Sequence, residues 1–312
     1  MIANLILPNV LIAGAPKCGT TSLFRYLADH PDVCASTVKE ARYLLDADFP
    51  LFNPENNFLR YGLSGYSRFF SEEEARSRSV ILEATPDYIY QNTPHRALKE
   101  FPTPPFVIFV FRRPATRILS QFNYVQNNLA QLPKDWSFKS LVDHLLADTV
   151  PSKYPLLRES IRQSRYADYL QYWVDTVGRN HIIVLLFEEL VQNPLLVMQD
   201  LARRIGLDPS FYETYGFPKE NPTILIRNQA LHRIFRSLWG IKMPQPIRRL
   251  GGAMYRALNV SKRGHAQRKD EQAQLQRLDR EFVDSNKRLT ALTGLDLSCW
   301  DDQSISNSAK VR

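Results

Sequence analysis

One stretch near the start of the chain restricts the fold more than any other. Asn9-Val-Leu-Ile-Ala13 is a short β-rich apolar run that stops at a turn containing Gly14, Pro16 and Gly19. Leu23, Tyr26 and Leu27 follow at a spacing that lines one face of a helix. The order is strand, tight loop, helix. A helix that starts this way presents unsatisfied backbone N–H groups and the positive end of its dipole to an anion. Gly14 and Gly19 permit close backbone approach, while Thr20, Thr21 and Ser22 add hydroxyl donors. The plainer alternative is a Gly/Pro turn followed by an N-capping Thr or Ser.

The rest of the 312-residue chain continues the alternation. Val80–Glu83, Phe106–Phe111 and His181–Phe187 read as strands, and the last two are nearly continuous apolar runs, as parallel strands covered on both faces require. Helical patterns fall at Thr116–Gln131, Arg165–Val177 and Pro194–Ile205. The expected fold is α/β, a P-loop-type central parallel sheet with helices on both faces. A single domain is expected over 1–303, with a polar, disordered tail at 304–312. Residues 50–78, rich in Asn, Gly, Ser, Tyr and Phe, read as a long irregular excursion bordering a site.

The lysine position narrows the anion. A nucleotide-triphosphate loop has the form Gly-x-x-x-x-Gly-Lys-Ser/Thr, with lysine directly after the second glycine. Here Gly14-Ala-Pro-Lys-Cys-Gly19 is followed by Thr20, and the lysine is Lys17. An NTPase needs that later lysine for the β/γ-phosphates and a hydroxyl beside it for Mg²⁺. A shorter anion such as a 5′-phosphosulfate matches Lys17 better. A P-loop kinase or NTPase acting on a small molecule stays as the alternative. Downstream, Phe109-Val-Phe-Arg112-Arg113-Pro114-Ala-Thr-Arg117-Ile-Leu-Ser120 closes a buried strand with a cation and opens a helix. Ligands of open α/β sheets sit at the carboxyl ends of strands, so Arg112 belongs at the same edge as the first loop. Arg112 with Ser120 suits a second phosphate. Arg117 reads equally as a surface ion pair.

These motifs resemble those of the PAPS-dependent sulfotransferases, in the carbohydrate and bacterial-type branch. Pro16-Lys-Cys-Gly-Thr-Thr-Ser22 is similar to their 5′-phosphosulfate loop, and Arg112-Arg-Pro through Ser120 to their 3′-phosphate motif. Val38-Lys39-Glu40 with Tyr43-Leu44 resembles a Lys-Glu-x-x-Phe-Phe segment, and Leu82-Glu-Ala-Thr-Pro-Asp-Tyr88 a Glu-x-Ser/Thr-Pro-x-Tyr segment. Tyr166 to Leu170, Phe187-Glu188-Glu-Leu190 and Gly294 to Trp300 match further stretches, so the resemblance spans about residues 8–301. Three departures stand out. Arg113 replaces the usual Asp or Asn, Ala84 replaces the lysine of heparan-type enzymes, and Tyr43-Leu44-Leu45 replaces an aromatic pair.

The resemblance implies transfer of a sulfonate group from PAPS (3′-phosphoadenosine 5′-phosphosulfate) to a hydroxyl or amine, without a metal. Lys17, Cys18, Gly19, Thr20, Thr21 and Ser22 would hold the 5′ end, Arg112 and Ser120 the 3′ phosphate. Lys262 and Arg263, in the late basic loop Asn259–Gly264, are further donor contacts by the same resemblance. Lys17 would stabilise the transferring oxygens and Glu40 would serve as general base. To be an effective base, Glu40 needs burial to raise its pKa, against Lys39 and Arg42. His95 is the alternative base, though its Thr-Pro-His-Arg context reads as a helix start.

Charge and composition bear on partners. Of the net charge of +8, the segment Arg227–Arg288 carries fifteen Lys/Arg against five Asp/Glu, leaving the remainder near −2. That imbalance points to an anionic partner, including peripheral membrane contact through Leu231, Ile234, Phe235, Leu238 and Trp239 with Arg233 and Arg236. A non-enzymatic surface-binding protein is the corresponding third reading. No nucleic-acid partner is expected. The acceptor is expected to be a carbohydrate, lipid or small molecule. No signal peptide is expected, and three cysteines without metal-type spacing suggest a reducing, cytoplasmic setting.

Overall fold

The structure is a computed structural model that describes residues 5–133, 135–218, 225–226, 260–261 and 265–301. Five parallel strands form the central sheet: β1 (Val10–Gly14), β2 (Val33–Ala35), β3 (Val80–Ala84), β4 (Phe106–Phe111) and β5 (Ile182–Leu186), in the order β2-β3-β1-β4-β5. Every residue of β1 is buried, which explains its unbroken apolar sequence. Four of the strands fall where the apolar runs predict them. β2 was not predicted, because three residues of sequence Val-Cys-Ala are too short to show a period.

The main helices are α1 (Thr20–Ala28), α2 (Pro114–Asn123), α3 (Phe138–Leu146), α4 (Tyr166–Val177), α5 (Pro194–Ile205) and α6 (His265–Asp279). α4 and α5 match the sequence expectation closely. The predicted helix over 116–131 instead ends its α-helical part at Asn123 and continues as a π-helical turn, Tyr124–Asn128, where the Leu129 N–H donates to the Tyr124 carbonyl at 3.0 Å.

The described residues form two compact units. The first comprises 5–113, 165–218 and 284–301 and contains the sheet. Its core joins Leu11, Ile12, Phe109 and Phe111 of the strands to Leu23, Leu27, Trp173 and Leu201 of the helices. At about 1.5–3 kcal/mol for each fully buried large apolar side chain, such strand residues dominate the stability of the sheet. The second comprises the described residues of 114–164 and 221–283, with its own core of Ile118, Leu141, Val142, Leu157, Leu278 and Phe282. There α6 packs on α2 and α3, and Leu225–Ile226 pairs antiparallel with Val260–Ser261.

The excursion at 50–78 is more ordered than expected. It contains helix Phe58–Tyr61, 3-10 turns over Gly62–Phe69 and helix Glu72–Ser77. Tyr66, Phe69 and Phe70 are buried with Tyr43 and Phe101, so its aromatic residues serve the core. The expected tail at 304–312 lies outside the described residues, and no described helix is long and apolar enough to cross a membrane.

Candidate active site

The order of the strands puts a switch point at β1 and β4. The connection leaving β1 runs toward β2 on one side, while the connection leaving β4 runs toward β5 on the other. Loops diverging from adjacent strand ends leave a crevice at the carboxyl edge. The first loop is bonded to the end of β4, as the Ala15 N–H donates to the Val110 carbonyl at 3.0 Å.

The first loop turns sharply. Lys17 has φ +71 and Gly19 φ +86, so both lie in the left-handed region. Gly19 is the N-cap of α1, and no described side chain caps that end or places an acid in its first turn. The N-capping Thr/Ser alternative is therefore not what forms. A helix start without a side-chain cap suits an anion, and here Thr20 is buried while Lys17, Thr21 and Ser22 are half-exposed. Cys18 is fully buried, its thiol 3.7 Å from the Tyr166 hydroxyl.

Arg112 reaches this loop. Its Nη1 donates to the Lys17 carbonyl at 3.5 Å, and its guanidinium lies 4.5 Å from the centroid of the Phe187 ring. Phe187 follows β5 directly, and a Cβ on Gly19 would come within 2.8 Å of it. Phe187 is thus a wedge between the loop glycine and the arginine, a role its Phe-Glu-Glu-Leu motif did not reveal. Two further groups fix the end of β4. The Tyr166 hydroxyl donates to the Arg112 carbonyl at 2.8 Å, with its ring stacked on Phe111. Glu188 accepts from the Arg113 N–H at 3.1 Å and from Trp300 Nε1 at 3.0 Å. The C-terminal motif that ends at Trp300 is thereby tied to the strand end, and Arg113 is 2% exposed.

Glu40 lies in the loop after β2, whose backbone is bonded to the end of β3. Its φ is +65, and its carboxylate pairs with Lys39 at 2.8 Å and Arg42 at 3.0 Å. Burial pushes the carboxyl up, but the Lys39 and Arg42 charges and hydrogen bonds outweigh it and hold the group below the ordinary carboxylate range. The upward shift expected of a base is absent, so Glu40 is an ionised, paired carboxylate.

Ser120 is half-buried in α2, within the second unit. Lys262, Arg263 and the basic apolar stretch 231–239 lie outside the described residues. His95 does begin a helix, Thr93–Leu98, with Nδ1 2.7 Å from the Thr176 hydroxyl and its ring against Trp173. Arg117 is not a surface ion pair. It is 1% exposed and donates to Ser160, Gln163 and Ser164.

The sheet, the uncapped helix start and the two cations define an α/β protein whose carboxyl sheet edge is built to receive an anion. Comparison with known proteins makes the class specific. The sulfotransferase domain model matches residues 7–230, and the chain belongs to that family. It is a sulfotransferase domain, and the co-substrate of the family is PAPS. The fold, a five-stranded parallel sheet with helices packed around it, is that of a sulfotransferase from Alicyclobacillus acidocaldarius. That likeness has a TM-score of 0.59 and 23% identity, over 94% of this chain and 98% of the other. The chain is 25% identical over 296 residues to human heparan sulfate glucosamine 3-O-sulfotransferase 6, covering 93% of itself and 72% of that protein. It is 25% identical over 216 residues to the bifunctional heparan sulfate N-deacetylase/N-sulfotransferase of Drosophila melanogaster, covering 65% of itself and 20% of that protein. The chain spans less than a third of the length of several curated relatives it matches. Family membership removes the kinase alternative.

Proposed function

We propose that this chain transfers sulfonate from PAPS to a hydroxyl or amine of a carbohydrate, glycolipid or other metabolite, with Glu40 as the base. The juxtaposition of Lys17 and Arg112 at the switch point between β1 and β4 carries this reading. The names of the heparan sulfate relatives favour a carbohydrate acceptor.

PAPS would supply an activated sulfonate: the acceptor oxygen or nitrogen bonds to sulfur in line as the bond from sulfur to the bridging phosphate oxygen breaks, and adenosine 3′,5′-bisphosphate leaves. The protein's contribution is positioning and charge. The α1 N–H groups and the Thr20, Thr21 and Ser22 hydroxyls hold the 5′ end. Lys17 neutralises the charge that grows on the leaving phosphate, and Arg112 supplies a second fixed cation. Glu40 takes the acceptor's proton. Ionised at neutral pH, it is a weak base until the acceptor begins to bond to sulfur and becomes acidic.

The test uses radiolabelled PAPS with an N-desulfated heparan-type polysaccharide, a galactosyl glycolipid and a simple phenol. Label on the polysaccharide or glycolipid, lost in Glu40→Gln with binding of adenosine 3′,5′-bisphosphate kept, is expected. Label on the phenol alone would refute the acceptor class, and full turnover by Glu40→Gln would refute the base. The basic segment 227–288 supports a further peripheral contact with an anionic membrane. Co-sedimentation with phosphatidylserine vesicles that weakens with salt would bear it out.

A further inference from the structure

Glu83 is a carboxylate with no exposed surface, at the end of β3. Its Oε1 accepts from the Thr85 hydroxyl at 2.6 Å, its Oε2 from the Tyr66 hydroxyl at 3.2 Å, and it also accepts the Ala41 N–H. An ionised carboxylate is acceptor-only, and three donors converge on this one. The Thr85 oxygen then accepts the Arg42 N–H at 3.1 Å, so a two-bond relay joins Glu83 to Arg42.

These bonds belong to a longer register. The Ser36 N–H donates to the Leu82 carbonyl, Glu40 N–H to the Ala84 carbonyl, Leu44 N–H to the Tyr88 hydroxyl and Asp46 N–H to Gln91 Oε1. The segment 82–91 therefore reads the amides of 36–46 in order. Between them, Glu40 (φ +65) and Arg42 (φ +56) hold left-handed conformations that cost a non-glycine residue about 1–2 kcal/mol each. Such conformations persist only where the surroundings over-determine them. Ala84 and Thr85 receive Glu40 and Arg42, and the Glu83 carboxylate receives the residue between them.

A buried carboxylate is a costly way to fix a loop that neutral groups could hold. Its bond to the amide that follows Glu40 supplies the reason to keep it. We propose that Glu83 is a positioning residue for sulfonate transfer, holding the 40–42 backbone in the geometry that aims the Glu40 carboxylate. This rests on Glu40 being the base. The groups that face Glu83 are Tyr66, Tyr88, Thr85, the Ala41 amide and, through its charge, Lys39. Burial raises its carboxyl to about 7, against Glu40 below the ordinary range, so the two carboxylates titrate far apart.

The experiment compares full-length wild type with Glu83→Gln and Thr85→Val, folded by thermal melt, together with Glu40→Gln. The first readout is amide hydrogen exchange at 40–42, which needs no acceptor. Loss of a charge-assisted or relayed bond should speed exchange of Ala41 and Arg42 about ten-fold in both loop variants. In the wild type, the same protection should fall as pH drops through about 7, and Glu83→Gln should abolish that dependence. The second readout is release of labelled sulfate or product from PAPS. Turnover in Glu83→Gln should fall about 100-fold with KM for PAPS unchanged, the cost typical of a misplaced catalytic group. Wild-type protection of 40–42 in both loop variants, or a pH dependence that survives Glu83→Gln, would overturn the proposal. Undiminished turnover by Glu40→Gln alongside loosened amides would instead remove the base assignment beneath it.

Discussion

Replacing Glu83 by glutamine should alter stability in a way that depends strongly on pH. Burial raises the carboxyl to about 7 in the folded chain, against 4.5 as its ordinary value. The folded state therefore keeps a proton that the unfolded chain has already lost. That contribution is fully present below about 4.5, is lost progressively as pH rises, and is gone above about 7. One pKa unit corresponds to about 1.4 kcal/mol, so the ionised group penalises the fold by about 3 kcal/mol at pH 8 and by less than about 1 kcal/mol at pH 5. Glutamine has no such titration. Any constant offset from rearranged hydrogen bonds cancels when the two pH values are compared within each protein. Urea unfolding at pH 5, 6.5 and 8, followed by tryptophan fluorescence, measures the effect. With m near 3 kcal/mol/M, the midpoint of the variant should gain about 0.8 M on the wild type between pH 5 and 8. Parallel pH dependence in the two proteins would refute a raised Glu83 and leave the carboxylate ionised throughout.

Other perturbations address the donor side. Gly19→Ala forces a Cβ into the Phe187 ring at a left-handed position, and should abolish measurable binding of adenosine 3′,5′-bisphosphate by calorimetry while the sheet stays folded. Arg112→Ala should weaken the same binding about 10- to 100-fold, the worth of a charged hydrogen bond, and lysine should restore little because the guanidinium also lies over Phe187. Trp300→Phe removes the bond to Glu188 and should cost about 1 kcal/mol in urea unfolding.

The sheet was legible because its central strands are buried on both faces and carry unbroken apolar runs, as Phe106–Phe111 does. The tight turn and helix start after β1 were legible because their signal is local: Lys17, Gly19 and the following hydroxyls are neighbours in sequence. β2 escaped because three residues carry no periodicity. The wedge formed by Phe187 escaped for a different reason, since Gly19, Arg112 and Phe187 meet only through strand order. The charge state of Glu40 was half legible. Lys39 and Arg42 were visible as opposing influences, but the balance depended on ion pairs of 2.8 and 3.0 Å formed around a left-handed turn. Glu83 looked like one letter of a supporting motif. Its importance comes from complete burial under a loop more than forty positions earlier.

The register between 36–46 and 82–91 separates two kinds of inheritance. The contacts that shape the Glu40 turn are made through main-chain N–H groups, and main chain is common to every residue except proline. Lys39, Ala41 and Arg42 are half-exposed, and what the Lys39 and Arg42 side chains set is the charge on Glu40, through their ion pairs with its carboxylate. A lineage of such enzymes could retune the charge and bulk that meet an incoming acceptor while Glu40 stays in place. Novelty would accumulate on the outer loop, and constraint would fall on the buried segment that receives it.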